Sequence, residues 1–311
     1  MTGYLKQSSP SLQFVTFIGI FIGFMLLYGT FLYTGFPALS GYTVDQLQGG
    51  NATGPKVIGY LKLVQFLYTL VVYLVPGLLF GYLSDPQPAT WLGMNKSPKA
   101  LPIVLALLIM YCSLWAVDLT AEWNQHWNVP ASIRQMEEQA DLLIERLLQM
   151  PTVKDLIVNL LLIAVLPAIA EEVFFRGVMQ RLVIQLVRLP WLGVLITAIL
   201  FSAVHMQLLG FVPRVLLGFL LGAIYYLSGN LWLSILGHFL VNGIQVFAAY
   251  LYQVKVISDD PSKSGTTSWY VALISALVTL SLLWVLYKRT KLPPQAENSQ
   301  PENLSDGKRL D

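Results

Sequence analysis

The chain has 311 residues, of which 55% are hydrophobic and only 12% are charged, with a formal net charge of +2. Soluble domains carry about twice that charged fraction, so the composition excludes an ordinary soluble enzyme and an intrinsically disordered protein. The small net charge gives no reason to expect a nucleic-acid partner, and a single cysteine excludes an internal disulfide.

Long apolar stretches recur along the whole chain. Because about 20 apolar residues cross a bilayer as a helix, they predict an all-α, polytopic membrane bundle of about eight transmembrane helices. The predicted spans are Leu12–Phe36, Ile58–Tyr82, Ala100–Leu119, Leu156–Val187, Trp191–Gln207, Val212–Ser228, Leu231–Tyr252 and Trp269–Tyr287. The first is too long for the apolar part of a signal peptide, so we expect it to be retained.

The polar segments divide the chain further. The loop after the third span holds Glu137 and Asp141 among leucines at helical spacing, which predicts an amphipathic helix lying on the membrane or over the bundle. The predicted organisation is 1–120 for the first three helices, 121–154 for the polar loop, 155–253 for a core of helices four to seven, 269–287 for the last helix and 288–311 for a disordered polar tail.

The orientation follows from the basic residues after the last span. Lys288, Arg289 and Lys291 directly follow it, which favours a cytoplasmic C-terminus. Eight crossings then place the N-terminus in the cytoplasm as well. In a bacterium, the protein would be a multi-pass protein of the plasma or inner membrane.

Ionisable residues inside the predicted membrane region are the first candidates for function, because a charge there is costly. Between Leu156 and Val254 the acidic residues are Glu171 and Glu172, and two of the three histidines, His205 and His238, share this stretch. The third, His126, falls in the polar loop, where we expect it to be solvated.

The adjacent glutamates are predicted to differ in role. Glu172 and Arg176 are four residues apart, with the acid first, which favours an ion pair on a helix. Glu171 is turned by about 100° from Glu172 and faces elsewhere. A buried packing network is the alternative explanation of this cluster.

Two further pairs share helix faces. Phe201 and His205 are four residues apart, and so are His238 and Asn242. Glu171 and His205 each lie 17 residues from Arg188, so a hairpin with equal rise on both arms would place them at equal depth.

The combined residues suit hydrolysis. A carboxylate with a histidine can deprotonate water, and the His238–Asn242 pair offers donors for the oxyanion formed on an amide carbonyl. A metal remains open at this point, since Glu171, His205 and His238 make a two-histidine, one-carboxylate set suited to zinc. The HExxH motif of common zinc proteases is absent.

The motifs Glu171-Glu172-xxx-Arg176, Phe201-xxx-His205 and His238-xxx-Asn242, in this order on successive helices, resemble the CAAX-processing and bacteriocin-processing intramembrane proteases, the CPBP family. The resemblance covers roughly residues 155–245. It implies an endopeptidase in which Glu171 and His205 activate water, His238 and Asn242 form the oxyanion hole, and Glu172, Arg176 and Phe201 support the site. It also implies a membrane-associated substrate, a protein or peptide that in some relatives is lipidated.

Two functions of other classes remain as alternatives. One is a transporter that uses Glu171 and His205 as a proton relay, and the other is a non-catalytic scaffold or bacteriocin-immunity protein. No internal repeat typical of transporters is visible in the sequence.

Overall fold

The computed structural model describes residues 2–48, 54–261 and 267–290. Every regular element within these ranges is helical, which confirms the predicted helical bundle. In chain order the helices are α1 (Pro10–Ser40), α2 (Val44–Gln48), α3 (Lys56–Ser84), α4 (Pro88–Trp91), α5 (Ala100–Gln125), α6 (Ala131–Leu147), α7 (Val153–Val187), α8 (Pro190–Ala203), α9 (Phe211–Ser228), α10 (Leu231–Gln253) and α11 (Trp269–Arg289). The predicted disordered tail is 288–311; its first two residues, Lys288 and Arg289, still belong to α11, and residues 291–311 lie outside the described residues.

Seven of the described helices are long and apolar enough to cross a membrane: α1, α3, α5, α7, α9, α10 and α11. The remaining predicted span, Trp191–Gln207, corresponds to α8, which ends earlier, at Ala203, after 14 residues. A helix of that length rises about 21 Å, short of the roughly 30 Å hydrocarbon core. The chain therefore turns back into α9 before α8 has crossed a full bilayer thickness.

Four segments of the long helices have the wider winding of a π-helix. Three of them directly precede a residue followed by proline, which has no N–H and clashes with the preceding turn of an α-helix, so local widening accommodates it. These three are Phe31–Gly35 before Pro37, Thr69–Leu74 before Pro76 and Leu160–Val165 before Pro167. The fourth, Glu172–Gln180, contains no proline.

Helix α7 lies inside the bundle, in contact with α3, α8 and α10. In the most apolar 18-residue stretch of α7, 44% of the residues are buried, whereas 11% are buried in the corresponding stretch of α1. The helix α1 therefore presents most of its surface outward, and α7 carries the polar residues where neighbouring helices cover them.

Both described ends of the chain lie on one face of the bundle, which we call the terminal face. The backbone N–H of Leu5 donates to Leu83 O at the end of α3 over 2.8 Å. Helix α11 runs antiparallel to α5, since Thr267 at its start contacts Asp118 near the end of α5. Its C-terminal end therefore lies near the start of α5, on the same face as the N-terminus.

Helix α6 lies at the opposite face, which we call the α6 face. Leu147 is buried beside α1 and α3, and the Asn159 side-chain amide donates to Leu147 O over 2.9 Å. Leu142, one of the leucines at helical spacing in α6, is 57% exposed. The inward positions include the acidic Glu137, which is buried.

Candidate active site

The centre of the site is a line of buried polar side chains along α7. The Arg176 guanidinium donates to Glu172 Oε1 over 2.7 Å and to Gly218 O over 2.9 Å, and both charged side chains are fully buried. One turn further, Gln180 donates to Gly222 O over 3.0 Å. The four-residue spacing of the two donors on α7 matches that of the two glycine carbonyls on α9, so α7 and α9 are joined by a short polar ladder.

A histidine of α10 extends this line. His238 Nδ1 lies 2.9 Å from Glu172 Oε1, and its Nε2 lies 3.9 Å from Glu171 Oε2. Because an ionised carboxylate only accepts hydrogen bonds, Nδ1 carries the proton and donates to Glu172. Glu172 thus holds Arg176 and His238 with one oxygen, and this contact turns the Nε2 edge of His238 toward Glu171.

The two adjacent glutamates lie in different surroundings. The Glu171 side chain is 14% exposed, whereas that of Glu172 is fully buried. Tyr68 and Tyr73 of α3, whose hydroxyls are 3.1 Å apart, lie within electrostatic range of Glu171. As the helix geometry predicts, Arg176 pairs with Glu172 and not with Glu171. Glu171 is therefore the carboxylate that a reactant can approach.

His205 lies beyond the end of α8, in the turn that leads to α9. Its Nδ1 donates to Phe201 O over 2.7 Å, which leaves Nε2 as the free nitrogen, with no hydrogen-bond partner among the described residues. The expectation of equal depth with Glu171 rested on two regular helical arms, and this premise is wrong, because α8 ends at Ala203 and α7 is π-helical from Glu172. Among the described residues, no hydrogen bond or ion pair joins His205 to Glu171.

Phe201 connects the polar groups through its ring. The ring centroid lies 5.0 Å from that of His205 and 6.0 Å from that of His238, edge-on in both cases. The Arg176 guanidinium lies 4.6 Å from the same centroid. The Phe201 ring is therefore in contact with both imidazoles and with the guanidinium.

Asn242 lies one helical turn beyond His238 on α10, as the spacing predicts. Its side-chain nitrogen donates to Ile163 O over 3.3 Å, in the π-helical segment Leu160–Val165. This is a long hydrogen bond, and the amide has a second N–H available to a ligand.

The residues do not fit a metal centre. No group of three histidine, cysteine, aspartate or glutamate side chains in the described part of the chain is arranged to hold a metal ion. His238 directs one nitrogen to each glutamate. Glu171, His205 and His238, the set that suits zinc by residue type, do not form such a group in this part of the chain.

Three polar residues near the site were not expected from the sequence. Asn124 at the end of α5 and Glu137 in α6 contact the turn after His205. Arg214, near the start of α9, donates to Gln207 Oε1 over 2.8 Å and lies within electrostatic range of Glu137 and Glu171. The sequence places Glu137 in the polar loop, but it does not show which side of α6 faces inward. The burial of Glu137 could therefore not be predicted.

Comparison with known proteins bears on the same part of the chain. Residues 153–244 match the family model described as type II CAAX prenyl endopeptidase Rce1-like. We call residues 153–244 the Rce1-like segment, because they are similar to this family. A stretch of 90 residues is 30% identical to the uncharacterized protein YpbD of Bacillus subtilis (strain 168), covering 28% of this chain and 43% of that protein. The chain therefore spans less than half the length of this curated relative. No solved structure matches the chain.

The Rce1-like segment contains the motif residues of the site, from Glu171 on α7 to Asn242 on α10. It begins at the start of α7 and ends within α10. Asn124 and Glu137 lie outside it. Together with the seven membrane-length helices, the match describes a multi-pass integral membrane protein.

Proposed function

We propose that the protein is an intramembrane endopeptidase that hydrolyses a peptide bond of a membrane-associated or lipidated substrate. The observation that carries this proposal is the buried line Arg176–Glu172–His238, which ends beside the accessible carboxylate of Glu171. The Rce1-like match over the same helices supports a proteolytic activity of the CAAX type.

In the proposed first step, Glu171 is the general base. A water molecule held by Glu171 and the free Nε2 of His205 gives a proton to the carboxylate, and its oxygen attacks the carbonyl carbon of the scissile peptide. The carbonyl π-bond breaks, and its electron pair becomes the oxyanion of a tetrahedral intermediate. The partial exposure of Glu171, in contrast to Glu172, suits this role.

The oxyanion is proposed to bind at α10. The second N–H of the Asn242 amide and, in its protonated form, His238 Nε2 are the donors. The intermediate then collapses, the carbon–nitrogen bond breaks, and the proton held by Glu171 passes to the leaving amine. Glu172 takes no proton in this scheme and keeps the His238 ring oriented through its 2.9 Å contact with Nδ1.

The substitution Glu171→Gln tests the proposal. It removes the base and keeps the size of the side chain, so we expect cleavage to fall by about 10²–10⁴-fold. The measurement compares the termini of membrane proteins in cells that contain wild type or Glu171→Gln, and then follows cleavage of any candidate by the purified protein in liposomes.

Glu138→Gln is the matched control, because Glu138 is exposed on α6. It should cleave like wild type. If Glu171→Gln cleaves as fast as Glu138→Gln, the proposed base is wrong. If neither wild type nor variant produces any new terminus, while the liposomes take up a solute dependent on Glu171, the transporter alternative replaces the protease.

A further inference from the structure

The turn that carries His205 has few contacts within its own segment. Between the end of α8 at Ala203 and the start of α9 at Phe211 the backbone makes only short-range turns. From the adjoining helices, Ser202 Oγ donates to Phe211 O over 2.8 Å, and the Arg214 guanidinium donates to Gln207. Met206 has a φ of 55°, a left-handed conformation that costs a residue with a Cβ about 1–2 kcal/mol. A catalytic side chain in such a turn needs external support to keep one position.

Asn124 supplies part of that support from the end of α5. Its amide nitrogen donates to Leu208 O over 3.0 Å, and its amide oxygen accepts from the N–H of Val212 over 2.8 Å. The side chain is fully buried. One planar amide thus satisfies two backbone groups, one inside the turn at Leu208 and one in the first turn of α9 at Val212.

Glu137 supplies a second support from α6. Its Oε1 accepts from the N–H of Leu209 over 2.9 Å, and the residue is buried to 7% exposure. A buried carboxylate is costly unless it is paired and hydrogen-bonded, and here Leu209 N–H provides a hydrogen bond while Arg214 lies within electrostatic range.

We propose that Asn124 and Glu137 are positioning residues of the active site, which hold the turn 204–212 so that the free Nε2 of His205 stays directed into the site. Both come from outside the Rce1-like segment and reach it across 84 and 72 residues of sequence. The inference rests on the proposed role of His205, and it assigns part of the catalytic geometry to α5 and α6.

The first test needs no substrate. Hydrogen exchange of the peptide 204–212 is measured by mass spectrometry on the full chain in detergent, for wild type, Asn124→Leu and Glu137→Leu. Loss of these hydrogen bonds should raise exchange in this peptide by about fivefold or more. Exchange in α10 should not change, and Asn128→Leu and Glu138→Leu, at exposed neighbouring positions, should behave like wild type.

The second test uses a cleavable substrate found with the Glu171→Gln comparison. Misplacing a catalytic group by about 1 Å costs about 100-fold, so we expect kcat of Asn124→Leu and Glu137→Leu to fall by about 10–100-fold with KM changed less than about twofold. Glu137→Gln retains an acceptor for Leu209 N–H, and it should recover most of the lost kcat.

The outcomes separate the two proposals. Unchanged exchange in 204–212, or raised exchange with unchanged kcat, overturns the positioning role. A uniform rise of exchange across the bundle would show that the residues stabilise the whole fold, and would also overturn it. Full cleavage by Glu171→Gln overturns the proposed function instead, and the exchange result then stands as a statement about the turn alone.

Discussion

Two pairs of glycines with the same spacing lie in very different surroundings. Gly19 and Gly23 of α1 have open space where a Cβ would be, with no atom within 4 Å. A Cβ at Gly222 of α9 would lie 2.6 Å from Gln180 Oε1, and one at Gly218 would lie 3.1 Å from the Phe201 ring. A four-residue repeat of small residues indicates close helix packing, but only the α9 pair is packed closely against other helices.

The difference shows that the neighbours of a helix decide what its small residues do. The carbonyls of Gly218 and Gly222 accept from Arg176 and Gln180, and the missing side chains let α7 approach them. Helix α1, mostly exposed, has no such partner within the described residues at this pair. Substitutions along the two helices therefore test the comparison directly.

The largest loss of stability is expected on substitution of Arg176, the charged residue that donates to the carbonyl of Gly218. Arg176→Leu removes the donor to Gly218 O and leaves Glu172 buried without its cation. Breaking a buried ion pair from one side costs about 3–5 kcal/mol, so we expect much of the unfolding free energy to be lost, measured by titration with sodium dodecyl sulfate in mixed micelles. A loss of unfolding free energy below about 1 kcal/mol would show that the buried Arg176–Glu172 pair does not stabilise the fold in this way.

A smaller effect is expected at Gly222 itself. Gly222→Ala forces the added methyl group against Gln180 Oε1, and overpacking of this kind costs about 1–3 kcal/mol. The same unfolding titration measures it. The double variant Gly222→Ala with Gln180→Ala should be less destabilised than the sum of the two single variants, because the clash is absent; strict additivity would refute the contact.

The smallest effect is expected at Gly23, the matched position on α1. Gly23→Ala meets no atom within 4 Å, and alanine is favoured over glycine inside a helix by about 1 kcal/mol. We expect unchanged or slightly increased stability. A destabilisation equal to that of Gly222→Ala would mean that the α1 pair is covered by another molecule, and the comparison would then fail.

The helices themselves could be predicted well from the sequence, because length and hydropathy decide where a bilayer span lies. Seven of the eight predicted spans agree with membrane-length helices to within a few residues, apart from longer ends at Gln125 and Ser40. The exception is α8. Val204, Met206 and Leu208 are apolar, so hydropathy extends the span through His205, whereas the backbone has already turned.

The site was predictable only where it depends on residues close together in the sequence. The Glu172–Arg176 pair depends on local helix geometry, and it is present as expected. The contact of Glu172 with His238 joins positions 66 residues apart in the sequence. The hydrogen bonds of Asn124 and Glu137 to the turn join positions that are still farther apart in the sequence. No spacing rule reaches such distances, and the π-helical winding of Glu172–Gln180 changes which residues face α10 without leaving a proline as a signal.

The hydrogen bonds from Asn124 and Glu137 have a consequence for evolution and for engineering. The Rce1-like segment is not self-sufficient, because the peptide groups of Leu208, Leu209 and Val212 depend on side chains encoded before it. A chimaera that joins this segment to the N-terminal helices of a distant relative should fold its core helices and yet lose an ordered His205. In any relative whose turn has this conformation, the preceding helices have to bring a donor to the carbonyl at position 208 and acceptors to the N–H groups at positions 209 and 212.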